Sequence, residues 1–409
     1  MRNRREFIKT VAGAAGALVA GSELFSLAAA QAPAPAAAAS RVGKITVAGK
    51  RVKVIDVHAH WNIAGTPPLN PNGGGGGGRG GAGAVPAGGA DGGPDAAAGV
   101  AAAAAARGGA GAAAGPAGGG RGGRGGGADP LVTRLAEMDK RGIDIQMVSI
   151  NGYGWYATQD RDLAAKYVAV QDEGLSALVK ANPSRFVAAT SPALQFPDLA
   201  AQQVERAIKE LGLRAASIGG HVNGESLSDA KYDPFWAKCQ EMGALVFMHP
   251  GGADNVLKDN AWMGTRGDLG NIIGNPLESS IFISRLIYDG TLDKFPGLKI
   301  CIAHAGGYLP SYIGRADLAC EVRANANCLN KKHPREYLHD QIMIDTMVFS
   351  DEGLRHLVAE MGAGQIMYGT DIPFVWPDSV DEVVRANYMN NAQKEAMLGG
   401  TLMKLLKMT

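Results

Sequence analysis

Histidines 58 and 60 stand two residues apart in Ile55-Asp56-Val57-His58-Ala59-His60, at the end of an apolar, β-branched run. In a strand, residues i and i+2 share a face. Both imidazoles are therefore expected to point to one side, with Val57 pointing to the other. Two imidazoles on one strand can hold one divalent ion at about 2.0–2.1 Å each. Taken alone, H-x-H is a weak motif. Three more residues of ligand type close later apolar runs: His249 after 244–248, His304 after 299–303, and Asp371 after Tyr368-Gly369-Thr370. Singly, each reads equally well as a satisfied core histidine or a helix-capping aspartate. As a set of five they point to a metal or acid–base centre.

Such a centre needs a frame that gathers strand ends. Apolar strand-like runs fall at 52–57, 143–150, 185–189, 215–218, 244–248, 299–303, 342–344 and 365–368. Helical patterns separate them at 131–141, 161–181, 199–211, 234–242, 277–289, 308–322 and 352–361, with a last one at 392–406. Strands alternating with helices argue for a parallel sheet, and eight such units argue for a closed (β/α)₈ barrel. Barrel enzymes keep their chemistry at the C-terminal strand ends, where all five residues lie. No G-x-G-x-x-G turn follows the first strand, which counts against a dinucleotide-binding fold.

The 409-residue chain carries a net charge of +1, so nothing in its charge draws it to nucleic acid or an anionic membrane. Residues 1–30 read as an export signal. A twin arginine at Arg4-Arg5 precedes a short Ala/Gly-rich apolar run, too weak for a stable membrane span, and small residues at 28–30 offer a cleavage site. That places the protein in the periplasm or outside the cell, with the twin-arginine machinery as its export partner. Residues 31–43 read as an Ala/Pro-rich linker to a barrel over 44–409. Within it, 73–127 is nearly all Gly and Ala, reads as a disordered insertion after the first strand, and has few large side chains to offset ordering entropy. Of the four cysteines, Cys239, Cys301, Cys320 and Cys328, none forms a C-x-x-C pair. Cys301 reads as a buried small hydrophobe. A Cys320–Cys328 disulfide suits an oxidising compartment, although two unpaired thiols is the preferred reading.

The strand-end motifs, with Gly274-Asn275-Pro276-Leu277-Glu278 and Phe295-Pro296-Gly297-Leu298-Lys299, resemble the amidohydrolase superfamily. Within it they are most similar to the branch of aminocarboxymuconate-semialdehyde decarboxylase and related aromatic-acid decarboxylases. The likeness covers 53–404 apart from the Gly/Ala insertion. It implies that His58, His60, His249 and Asp371 hold one divalent ion, and that His304, with Asp371 beside it, carries the catalytic proton transfer. Many relatives bridge two metals with a modified lysine after the fourth strand. Here Gly219-Gly220-His221 follows instead, which favours one ion. Three histidines and a carboxylate suit zinc, with manganese the second choice.

The implied chemistry is decarboxylation of a small unsaturated or aromatic carboxylic acid. The same centre could instead hydrolyse a lactone, amide or ester, and a non-enzymatic envelope role for the Gly/Ala segment is a third reading. A divalent ion brings the pKa of its water towards about 7, and an imidazole such as that of His304 can accept or return a proton. His221, Trp61 and Phe374 are weaker candidates for substrate contact, as wall residues with Trp155 and Trp376. His333, His339 and His356 fall on helical or polar stretches and read as surface residues. The arginine that relatives place after strand one to hold a substrate carboxylate has no counterpart that the sequence can fix. Analogy with related barrels extends to a homodimer.

Overall fold

The computed structural model describes residues 40–66, 129–251 and 266–408. The expected signal at 1–30, the linker up to residue 39 and the 73–127 insertion lie outside the described residues. Eight parallel strands follow the expected alternation: β1 (Ile55–His60), β2 (Ile145–Ser149), β3 (Phe186–Thr190), β4 (Ala215–Ile218), β5 (Leu245–Met248), β6 (Lys299–Ile302), β7 (Ile342–Asp345) and β8 (Ile366–Met367). Each pairs with its sequence neighbour from β1 to β8. The edges meet through Val57 N to Tyr368 O at 2.9 Å, Asp371 N to His58 O at 2.7 Å and His60 N to Ile372 O at 2.7 Å. Those bonds close the sheet into a barrel.

Helices α1 (Pro130–Arg141), α2 (Arg161–Ala181), α3 (Pro197–Lys209), α4 (Asp233–Met242), α5 (Asn275–Tyr288), α6 (Ile313–Val322) and α7 (Asp351–Met361) occupy the intervals between strands. Their ends carry ordinary signals. Asp129 caps α1 by accepting from Leu131 N, and Asp160 caps α2 by accepting from Leu163 N. Among the described residues no helix is long and apolar enough to cross a membrane.

The apolar strand residues divide into two sets. Val54, Ala59, Val148, Ala188, Ile218, Val246, Ile302 and Ile344 belong to the layer shared with the helices. Ile55, Val57, Met147, Ala189, Phe247, Cys301, Met343 and Met367 fill the barrel interior. Val57 therefore faces inward, contrary to the simple alternation expected of it. The cause is a bulge: between Asp56 and Ala59 the register against β2 shifts, so Val57 and His58 together oppose Met147. Without that extra residue His58 and His60 would keep the phase of Asp56 and face the helices. β1 also runs three residues later than its β-branched run suggested, since Val52 and Val54 form a buried lead-in.

One further expectation is corrected. Cys320 and Cys328 form a disulfide, and are not two free thiols. The chain after α6 folds back and brings their Cα atoms to 5.9 Å, within reach of a bridge. Cys239 and Cys301 are buried and free, as expected of Cys301.

The end opposite the site is sealed by the last helix, α8 (Thr401–Leu405), whose Leu402, with the following Leu406, joins the interior cluster at 1% and 2% exposure. Leu402→Ala is expected to cost about 2–5 kcal/mol, the range for truncating a buried leucine. Urea unfolding would measure it, with metal stoichiometry unchanged because the site lies at the other end. A variant as stable as the parent would show that α8 does not seal the interior.

Candidate metal centre

The bulge turns His58 and His60 into the mouth above Val57, and the closing seam delivers Asp371 to them from the other end of the chain. Asp371 Oδ1 lies 3.1 Å from His58 Nε2, 3.0 Å from His60 Nε2 and 3.8 Å from His249 Nε2. His249 follows β5 and enters through a hydrogen bond from its backbone N to Ile218 O. Donor atoms of His58, His60, His249 and Asp371 all lie within 4.8 Å of one another. His304 Nε2 stands 3.6 Å from Asp371 Oδ2. The sequence-derived set of five is thus assembled in one place, at the C-terminal end of the barrel.

These residues fit a cation on their own chemistry. The Nε2 atoms of His58 and His249 are buried and make no hydrogen bond, although both face Asp371. A buried polar atom without a partner is costly unless something else satisfies it. Metal–ligand bonds of about 2.0–2.2 Å put two donors on one ion about 3–4 Å apart, which is the spacing found between Asp371 Oδ1 and each of the three rings.

Electrostatics divides the rings. Burial opposes a charge on His58, but the Asp371 and Asp345 carboxylates outweigh it and raise the ring to about 10. His249 is pushed well below the ordinary imidazole value, by burial first and then by the neighbouring rings. His60 is also lowered by burial, against the pull of Asp371. Burial alone would raise Asp371, yet the charge on His58, with the His304 and His60 rings beside the carboxylate, holds it well below the carboxylate range. The side chains of His58, His60 and His249 are 0%, 2% and 8% exposed, against 15% for His304. His304 is the ring of the four that a molecule in the mouth would meet.

Residues that the sequence reading passed over hold the site in place. Asp56, buried within β1, accepts from His58 N (2.9 Å), Gln146 Nε2 (2.8 Å), Thr370 N (3.1 Å) and Thr370 Oγ1 (2.6 Å). Burial raises its pKa to about 6 against those bonds. Asp345 accepts from His58 Nδ1 at 2.7 Å. Its own burial would raise it, but the His58 ring bond lowers it overall. A signal for Asp345 was available: it is a carboxylate directly after the apolar run Ile342-Met343-Ile344, at the catalytic end of a strand. Glu278, near the start of α5, accepts from Gly220 N and Gly251 N, and so ties the loops after β4 and β5 together. Trp376 donates its indole N–H to Asp371 Oδ2 at 3.2 Å and stacks on Phe349.

The weaker candidates separate. Phe374 borders the site, its ring 6.0 Å from that of His60. Trp61 packs on Phe186 and under the Arg134 guanidinium, itself bonded to His60 O. His221 opens a short ribbon after β4 and accepts from Gly224 N with Nδ1. Trp155 is buried among Tyr153, Tyr156 and Tyr167, which accounts for it as packing. His333 and His339 are exposed, whereas His356 is half-buried with its Nε2 shielded.

Comparison with known proteins agrees with this geometry. The amidohydrolase family model matches residues 55–407. The 2-amino-3-carboxymuconate-6-semialdehyde decarboxylase of Dictyostelium discoideum is 32% identical over 290 residues, spanning 68% of this chain and 76% of the relative. Among solved structures, 5-carboxyvanillate decarboxylase from Sphingomonas paucimobilis superposes with a TM-score of 0.63 at 26% identity, over 69% of this chain and 84% of that one. A dihydroxybenzoic acid decarboxylase from Polaromonas sp. JS666, solved with bound manganese and the inhibitor 2-nitroresorcinol, gives 0.61 at 26% identity, over 68% and 86%. A parallel barrel, five ligand-type side chains at its mouth and a family match over nearly all the described barrel lead to one conclusion: the chain is an enzyme of the amidohydrolase family, in the branch of aminocarboxymuconate-semialdehyde decarboxylase and related decarboxylases.

Proposed function

We propose that the protein decarboxylates a small aromatic or unsaturated carboxylic acid, using one divalent ion held by His58, His60, His249 and Asp371, with His304 moving the proton. The observation that carries this reading is the split among the rings, three sunk around Asp371 and one at the rim. The decarboxylase names of the relatives support the reaction class. A bound divalent ion would supply Lewis-acid polarisation of a substrate oxygen.

The chain's own residues do the rest. His304 donates a proton to the ring or alkene carbon that bears the carboxylate. The bond from that carbon to the carboxyl carbon then breaks. Its electron pair returns to the unsaturated system and CO₂ leaves, so His304 must be reprotonated from solvent before the next turnover. Phe374 offers an aromatic edge beside His60 for a planar substrate. The apolar interior below, with Phe247, Cys301 and Met343, excludes water from beneath the site.

Zinc is the ion that three imidazoles and a carboxylate favour, and the manganese bound by the Polaromonas relative makes manganese the other candidate. We further propose export through the twin-arginine route to the periplasm or beyond. The Arg4-Arg5 pattern supports this, as does the Cys320–Cys328 bridge, which suits an oxidising compartment. By analogy with related barrels the protein is a homodimer, which light scattering would distinguish from a monomer.

Metal-loaded protein is expected to release CO₂ from an aromatic carboxylate without taking oxygen from labelled water into the product. Chelation should abolish that release, and full activity after chelation would overturn the reading. Label in the product would move the assignment to a hydrolase. His304→Gln should keep its metal while kcat falls about 10²–10⁴-fold, the usual worth of a general acid or base. Loss of metal in that variant would reassign His304 as a ligand.

Replacing Arg4 and Arg5 together by lysine is expected to leave the precursor in the cytoplasm, read by cell fractionation. In exported native-source protein, denatured without reductant, alkylation should label Cys239 and Cys301 and spare Cys320 and Cys328. Labelling of all four would show that the bridge does not form in the cell.

A further inference from the structure

The backbone that carries His304 is unusual. His304 and Ala305 both have positive φ, at 56° and 57°, ahead of Gly306 and Gly307 at 73° and 68°. Left-handed geometry at consecutive non-glycine residues is unfavourable, and it persists where the surroundings impose it. Here the imposing group is identifiable. Asp345 Oδ2 accepts from His304 N at 3.0 Å, and Oδ1 accepts from Ala305 N at 2.8 Å. The same Oδ2 accepts from His58 Nδ1 at 2.7 Å, and Oδ1 also accepts from Met347 N at 3.1 Å.

Four donors thus meet a carboxylate with about four acceptor sites. The side chain is fully buried and packed against Gly369, where an added Cβ would come within 2.8 Å of Asp345 Cβ and 3.0 Å of His58 Cβ. Asp345 has no freedom to exchange partners.

We propose that Asp345 is a positioning residue that couples the two halves of the site. Its Oδ2 keeps the proton of His58 on Nδ1, leaving Nε2 free to ligate, and both its oxygens hold the left-handed turn that presents His304. One side chain would then set metal affinity and proton transfer together. Carboxylate partners of ligating histidines commonly fix the ring's tautomer. The distinctive feature here is that the same carboxylate also anchors the backbone of a second functional histidine. The inference rests on the roles given above to His58 and His304.

Asp345→Asn keeps the shape and removes the symmetry. An amide has one acceptor oxygen, so its NH₂ must confront N–H donors on one side or the other. The variant is expected to lose about ten- to a hundred-fold in zinc affinity by chelator competition, and a comparable factor in kcat at saturating zinc, with KM little changed. Backbone amides of 304 and 305 should exchange hydrogen faster. Wild-type affinity together with wild-type kcat would overturn the proposal, whatever the change in Tm. Loss of only one of the two would overturn the coupling.

If the parent turns over no carboxylate, the proposed function fails, while zinc affinity and amide exchange still decide this inference. Should Asp345→Asn not fold, ¹⁵N-histidine spectra of the zinc-loaded parent provide the test. A buried ring protonated at Nδ1 and hydrogen-bonded is expected for His58, and a ring without that proton would end the proposal.

Discussion

Everything at the mouth of this barrel depends on the seam where the last strand meets the first. Asp371 N donates to His58 O, and His60 N donates to Ile372 O. These bonds are ordinary in kind. A buried amide or carbonyl must find a partner, and at the edges of an eight-stranded sheet the remaining partners are each other. Their consequence is that Asp371 is carried across 311 positions of sequence to lie against His60. His58 and His60 arrive by the same closure. No fragment of the chain holds the donor set by itself, so binding of the proposed ion and completion of the barrel would be thermodynamically linked.

The seam brings together charges that a protein interior resists. Asp56, Asp345 and Asp371 are all nearly or fully buried, and an isolated carboxylate there would be far too costly. Each is accommodated differently. Asp56 is surrounded by a backbone amide, a carboxamide and a threonine, without a formal cation in contact, and its proton affinity rises. Asp345 is met by a ring N–H and three backbone amides, and its proton affinity falls. Asp371 faces the imidazoles and the Trp376 indole N–H, and its proton affinity falls furthest below the ordinary carboxylate value. Proton affinity is thus raised at Asp56 and lowered at Asp345 and Asp371.

Much of this could be read in the sequence, because the signals were local. The alternation of strands and helices follows from runs whose periods switch between two and 3.6. Placement of five residues at strand ends follows from the barrel itself. The bulge in β1 could not be read that way. His58 and His60 were rightly assigned to one face, but the phase of that face relative to Val57 depends on pairing with Met147, a residue far along the chain. Asp345 stands one residue past the apolar run 342–344, and a single aspartate there has no sequence pattern that separates it from a loop residue. Its role is visible only once β6 and β7 lie side by side. The Cys320–Cys328 bridge depends on how the chain turns after α6, and spacing alone does not report that turn.

The division of labour proposed for the histidines has a structural basis. His58 and His60 sit on a strand, pinned by the sheet on both sides, and His249 continues directly from one. Ligands benefit from that rigidity, since a first coordination sphere tolerates little displacement. His304 stands instead on a left-handed turn just past β6, outside the ladder, held by side-chain acceptors. That geometry lifts its ring towards the mouth and leaves it partly exposed while the other three stay covered. A proton donor must reach both solvent, to be recharged, and substrate, to act. In a pocket floored by apolar residues, its electrostatic partners act through little water and so act strongly. Under the roles proposed above, the strained turn is thus the counterpart of the rigid strands: the strands would fix the ion, and the turn would place a proton beside it.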